Sequence, residues 1–227
     1  GILWAGVPAY PMAAGYGVVA FTARMLEDKG ETLSGKRCVV TGSGKVALAV
    51  AEKLISHGAT VLTLSDQSGY VYEPNGFSAA SFETLKQIKK ERGARVGRYI
   101  MSSTTAAFGA AQEIFDAAED VDYVFPCATI KEIDVDLANS LLDKGVKGVF
   151  EGAHRPCDYE ARTVIKRRGA FFAPYRATLA GASLTSGTSL EAEPLKDGES
   201  LDDRIEEKMR TLYDEVKATA AEFNSRG

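Results

Sequence analysis

Histidine and cysteine are scarce in this chain. Its 227 residues include two histidines, His57 and His154, and three cysteines, Cys38, Cys127 and Cys157. Their spacing matches no metal-ligand pattern. An odd number of widely separated cysteines is not a disulfide framework. Cys38 and Cys127 fall in or beside apolar, strand-like segments, which reads as buried thiols in a reducing compartment. The sequence also lacks a signal peptide and an apolar run long enough to span a bilayer. It has no basic excess, since the formal charge is -4. That balance argues against broad nucleic-acid or anionic-membrane binding. Methionine is missing from the first position, where Gly1 stands, so processing or excision from a longer chain is an open expectation.

What is present is enough apolar material for a sizeable core: 45% of residues are hydrophobic and 26% charged, an ordinary globular balance. Residues 1–16 read as an irregular lead-in and 17–29 as a helix stopped by Gly30. Strand 37–41, helix 46–57 and strand 60–65 make one right-handed parallel unit. Residues 66–78 carry turn signals, and Ser81 is placed to cap a helix over 82–92. Residues 93–108 give no clear period. Strands at 122–128, 145–152 and 170–174 then alternate with helices at 134–145 and 159–169. Residues 178–194 read as helical at first. A helix over 200–223 has Ser200 as its cap and an apolar stripe of Ile205, Met209, Leu212, Val216, Ala220 and Phe223. That stripe is expected to pack on this domain. The fold class expected is α/β: a Rossmann-like, mostly parallel sheet with helices on both faces and a long C-terminal helix. The expected organisation is a lead-in and packing helix over 1–36, the Rossmann-like domain over 37–199 and the C-terminal helix over 200–227.

The segment RCVVTGSGKVA at 37–47 holds the main chemical signal. Gly42 permits a tight turn after the first strand, and Gly44 leaves room for a pyrophosphate against backbone amides at a helix start. Ser43, Lys45 and Val46 complete this turn, and Ala47 lets the helix lie close to the strand. Lys45 reaches phosphate if its side chain curls back over the turn; otherwise it is a solvent-facing lysine. Ser65 and Asp66 end the second strand. A carboxylate there can accept from an adenosine ribose, and a small Ser65 leaves room for a 2′-phosphate, so NAD and NADP both stay open. Two plainer readings stand beside these: a turn kept small for packing, and Asp66 as an ordinary turn carboxylate.

Further segments support a family resemblance. AAGYGVV at 13–19, LSGKRCVVTGSGKVA at 33–47, LSDQSGYVYEPNGF at 64–77, DYVFPCAT at 122–129, KGVFEGA at 147–153 and FFAP at 171–174 occur in this order. Together they resemble the nucleotide-binding domain and closing helices of hexameric NAD(P)-dependent glutamate dehydrogenases, especially the NADP-type branch. The resemblance implies a cofactor site that extends to Ala128, Thr129 and the position of His154. It also implies oxidative deamination of glutamate to 2-oxoglutarate and ammonia in the family's enzymes.

The chain departs from the family pattern at loop tips. Lys45 stands where Asn is common, Ile130 and Lys131 where Gln-Asn is common, and His154 and Leu179 where Asn is common. Tyr10, Met12, Ala14 and Ala182 differ as well. An apolar Leu179 or Ile130 cannot supply an amide's donor and acceptor. The family's substrate domain, with its lysine and aspartate, has no counterpart in these residues, and no catalytic or metal-binding residue is assigned. Two readings follow. The first is a non-catalytic, glutamate-dehydrogenase-like structural or interaction subunit of a larger assembly. NADP or NAD is optional there, and other protein subunits are the partners. The second is a fragment or subunit of the dehydrogenase itself, with a substrate domain upstream or on a partner.

Overall fold

The computed structural model describes residues 3–4, 7–8, 10–185 and 193–225. A short antiparallel pair, β1 (Leu3–Trp4) with β2 (Val7–Pro8), precedes helix α1 (Ala13–Glu27). There follow β3 (Arg37–Val40), α2 (Lys45–Ser56), β4 (Thr60–Asp66), β5 (Gly69–Tyr72) and α3 (Ala79–Lys90). A 3-10 segment Val96–Ser102, β6 (Ala107–Gly109) and a second 3-10 segment Ala111–Asp116 lead to β7 (Tyr123–Phe125) and α4 (Val135–Asp143). The remaining elements are β8 (Gly148–Phe150), α5 (Tyr159–Arg167), β9 (Phe171–Ala173), α6 (Tyr175–Thr178), α7 (Gly181–Leu184) and the long α8 (Leu201–Ser225).

Seven strands form one sheet in the order β6-β5-β4-β3-β7-β8-β9. The run β4 to β9 is parallel, and β5 and β6 extend it antiparallel at one edge. Side-chain alternation divides the strands between two cores, as a period of two requires. Cys38, Val40, Val61, Tyr123, Phe125 and Phe150 face α1, α2, α3 and α8. Val39, Leu62, Val124 and Val149 face α4, α5 and the second 3-10 segment. This is the Rossmann-like sheet with helices on both faces. Its chain reverses direction across the sheet between β3 and β7, the crevice where such folds bind ligands.

Several elements differ from the sequence expectation, each for a physical reason. Helix α1 starts at Ala13, inside the segment read as irregular, because Gly15 and Gly17 serve close packing there. A Cβ at Gly15 would lie 2.4 Å from Ala49 Cβ and 2.6 Å from the Val46 carbonyl oxygen. Residues 69–72, read as turn, form β5. The Asp66 carboxylate accepts from the Ser68 amide at 2.9 Å and locks the two-residue hairpin. The cap of α3 is Ser78, three residues before Ser81, and its hydroxyl accepts from the Ser81 amide at 3.1 Å. The unread stretch 93–108 supplies a 3-10 turn and the start of β6.

The stripe on α8 packs only over its first half. Ile205 and Met209 are buried and Leu212 is half-buried, whereas Val216 is 46% and Phe223 71% exposed, with Ala220 also exposed. The helix fastens to α1 through Tyr213, whose ring meets Phe21 edge-on at 5.4 Å, and through Arg210 to Glu27 at 2.6 Å. Beyond Tyr213 it runs past the end of α1, so the later apolar residues meet no core. Expectations for residues 1, 2, 5, 6, 9, 186–192, 226 and 227 lie outside the described residues.

Candidate dinucleotide cleft

A cleft of about 860 Å³ opens at the C-terminal ends of β3, β4 and β7. Its walls include Gly42, Ser43 and Gly44, with Ser65 and Asp66 on one side and Ala128 and Thr129 on the other. Seven of the ten sequence-predicted positions therefore converge here. Gly42 has φ +84°, and a Cβ there would stand 3.0 Å from Ala128 Cα, so the β3 and β7 loops touch backbone to backbone. Gly44 is the opposite case. It precedes α2 in extended backbone, and the space its Cβ would enter is open. The first-turn amides of α2 have no acceptor within the helix, and Gly44 provides no side-chain cap. The turn thus offers free N–H groups, a helix dipole and clearance together, which suits a pyrophosphate.

The neighbouring side chains are already engaged. Ser65 is buried; its hydroxyl accepts from the Gly42 amide at 2.8 Å, and its own amide donates to the Gly42 carbonyl at 3.0 Å. Its role is to hold the turn. The Asp66 carboxylate accepts from the Ser68 hydroxyl at 2.6 Å, the Val96 amide at 2.9 Å and the Lys89 ammonium at 3.2 Å. Burial pushes its pKa upward, but these hydrogen bonds outweigh burial and hold it below the ordinary value. The turn-carboxylate reading of Asp66 therefore describes what it does in this structure. Exposed Arg95, which begins the 3-10 turn fixed by Asp66, enters the cleft wall instead, with its guanidinium 3.4 Å from Gln67 Oε1.

Lys45, Val46 and His154 are not among the side chains lining this cleft. Lys45 is exposed at the start of α2. His154 is exposed on the β8 loop, with its ring edge-on to Tyr175 at 4.7 Å.

Three polar residues at the strand ends escaped sequence reading. Thr41 Oγ1 accepts from the Cys127 amide at 2.9 Å and donates to Glu132 Oε2 at 2.5 Å. Glu132 Oε1 accepts from the amides of Ala128 at 2.8 Å and Thr129 at 2.6 Å. Ala128 and Thr129, expected at the cofactor site, thus have their amides occupied by a side chain. Burial raises the Glu132 pKa above its ordinary value, against the lowering effect of Thr41 and the two amides. The spacing Thr129-x-x-Glu132 is the signal that was available, since it matches one half of a capping box. Glu151, fully buried at the end of β8, accepts from Arg162 Nε at 3.0 Å and the Tyr175 amide at 2.8 Å.

All three cysteines are free and buried. Among the described residues no cluster of His, Cys, Asp and Glu is arranged to hold a metal ion. No helix among them is long and apolar enough to cross a membrane.

The Glutamate/Leucine/Phenylalanine/Valine dehydrogenase family matches residues 5–226. The NADP-specific glutamate dehydrogenase of Chlorella sorokiniana is 38% identical over 225 residues, covering 97% of this chain and 43% of that protein. The NADP-specific enzyme of Escherichia coli (strain K12) is 37% identical over 216 residues, with 94% and 48% covered. Plasmodium falciparum glutamate dehydrogenase 2 superposes with a TM-score of 0.85 at 33% identity, covering 94% of this chain and 47% of that one. A hetero-hexameric glutamate dehydrogenase from Thermus thermophilus shares the fold at 20% identity and a TM-score of 0.72. This chain spans less than half the length of the two curated relatives described. Matched from residue 5 to residue 226 and built on the same sheet, the chain belongs to the glutamate/leucine/phenylalanine/valine dehydrogenase family, with the fold of its nucleotide-binding half.

Proposed function

We propose that this chain is the dinucleotide-binding part of an NAD(P)-dependent amino-acid dehydrogenase, with glutamate as the substrate its relatives suggest. The open turn over Gly44 is the observation that carries this reading, because it joins free amides to unfilled space in one cleft. The cofactor's nicotinamide would supply the hydride chemistry. Ser43 to Val46 would hold the pyrophosphate through backbone groups, and Ser65 would keep the turn in place through Gly42. Asp66 is committed to Ser68, Val96 and Lys89, while Arg95, held by one long contact to Gln67, is exposed in the cleft wall beside it. That favours a 2′-phosphate, hence NADP over NAD. The substrate half would come from elsewhere in a longer chain or from another subunit.

Calorimetric titration of the protein with NADPH and NADH tests this. Saturable binding, tighter for NADPH, is expected. In Arg95→Ala the NADPH affinity should fall by roughly tenfold, with NADH little changed, as loss of one charged phosphate contact implies. Absence of binding by either nucleotide to the folded protein would overturn the reading.

A second reading is a non-catalytic subunit of a larger assembly. The exposed Val216 and Phe223, on one face of α8 beyond its core contacts, favour it as an apolar strip open to a partner. Sedimentation analysis distinguishes the cases: Val216→Glu with Phe223→Glu should dissociate an assembly that uses this face.

A further inference from the structure

We infer that Glu132 is a positioning residue for the phosphate turn whose own charge opposes the bound nucleotide, so that dinucleotide binding takes up a proton on this carboxylate. This rests on the cleft being a dinucleotide site. Three observations place Glu132 there. Its Oε2 accepts from the hydroxyl of Thr41, the residue immediately before Gly42. Its Oε1 holds the amides of Ala128 and Thr129, and Ala128 is the residue against which Gly42 packs. The carboxylate is half-buried, in the wall of the same cleft as Gly42 to Gly44. Glu132 therefore ties the β7 loop to the phosphate turn, and it does so with a negative group.

The consequence is electrostatic. A pyrophosphate on the turn would share the cleft with this carboxylate, whose partner Thr41 directly precedes Gly42. Like charges brought into one cleft favour protonation of the weaker acid. The other ionisable groups of the cleft do not compensate. Arg95 is a fixed cation in the cleft wall, Asp66 is held ionised by its own partners, and burial keeps the two thiols that feel Glu132, Cys127 and Cys157, above their ordinary pKa. Glu132, by contrast, begins with a raised pKa. A proton on Oε2 leaves Oε1 holding both amides, whereas Thr41 Oγ1 already accepts from the amides of Cys127 at 2.9 Å and Ala128 at 3.2 Å. Neutralisation therefore keeps the two amide contacts and weakens only the one to Thr41.

The test is calorimetry with NADH and NADPH at several pH values between about 5.5 and 8.5, in buffers of different ionisation enthalpy. NADH is the cleaner probe, because its pyrophosphate does not titrate in this range. The wild-type protein should take up a fraction of a proton. Its affinity should weaken roughly threefold to tenfold across about two pH units as Glu132 ionises. Glu132→Gln removes the charge and keeps a carbonyl acceptor for the two amides, so it should bind with a flat pH profile and no proton uptake. Equal pH dependence in both proteins would overturn the inference while leaving the nucleotide site intact. Binding by the wild type with no proton uptake would overturn it without recourse to the variant. If neither protein binds NADH or NADPH, the reading of the cleft fails first and the inference falls with it.

Discussion

The loops after β3 and after β7 and β8 lie side by side and treat their backbone amides in opposite ways. After β3, the amides of Ser43 to Val46 are left open, with space above Gly44. After β7, Glu132 occupies the amides of Ala128 and Thr129; after β8, Glu151 occupies that of Cys157 and reaches across to that of Tyr175 beyond β9. The same local chemistry, N–H groups in the loops beyond strand ends, is left open in one loop and filled by the chain's own carboxylates in the others. Amides closed by a carboxylate of the same chain hold the fold; amides left open are free for a ligand.

The largest effect is expected where a closed loop is opened. Glu151 is fully buried and paired with Arg162, which already has one buried guanidinium nitrogen without a partner. Glu151→Ala would leave that cation and two amides uncompensated, a loss of about 3 kcal/mol by the rule for breaking one side of a buried pair. Urea denaturation measures it. A loss below about 1 kcal/mol would mean that water replaces the carboxylate and that the β8 loop is not closed in the sense argued here.

Gly42→Ala attacks the contact between the open and closed loops. The backbone φ of +84° is unfavourable for any Cβ, and this one would stand 3.0 Å from Ala128 Cα and from the Cys127 carbonyl oxygen. A loss of about 1–2 kcal/mol follows from the left-handed conformation alone. The fold should survive with the cleft distorted, seen as a lower denaturation midpoint together with weaker nucleotide binding.

Glu132→Ala should cost less, about 1 kcal/mol, because water can reach the released amides. Its pH dependence is the sharper observation. A carboxyl whose folded pKa is raised contributes stability in full below its unfolded pKa and loses it as pH rises through the folded value. The penalty of Glu132→Ala should therefore be greatest in mild acid and shrink towards neutral pH. Asp66, with its lowered pKa, behaves in the opposite sense, so Asp66→Asn should cost most at neutral pH and least in acid. Denaturation midpoints at two pH values check both signs.

This contrast also marks what the sequence made legible. The glycine turn is contiguous: Gly42, Ser43 and Gly44 follow one strand and open one helix, so residue order alone places them. The parallel unit of β3, α2 and β4 was readable for the same reason. Glu132 and Glu151 were not, because each is defined by partners on separate elements: Thr41 for the first, Arg162 and Tyr175 for the second. The glycines of the edge strands misled in another way. Gly69 looks like a turn residue, yet it lies in a strand under the ring of Phe108, where a Cβ would come 2.5 Å from a ring carbon; Gly109 lies likewise under Tyr70. Glycine covered by a cross-strand aromatic is a strand device that composition cannot distinguish from a turn.

The smallest effect on stability should accompany a complete effect on binding. Gly44→Asp places a carboxylate at the N-cap of α2, in backbone that any residue can adopt and in space that nothing fills. Aspartate is a favoured cap, and its gain over glycine is only a few tenths of a kcal/mol. The denaturation midpoint should hold or rise slightly. The new carboxylate would accept from the first-turn amides of α2, converting the open β3 loop into a closed one of the kind seen after β7. Nucleotide binding should then vanish in a protein at least as stable as the original. Binding that survived this substitution would show that the turn amides are not the phosphate site. An open anion hole that binds nothing would otherwise differ from a closed one only by a missing cap.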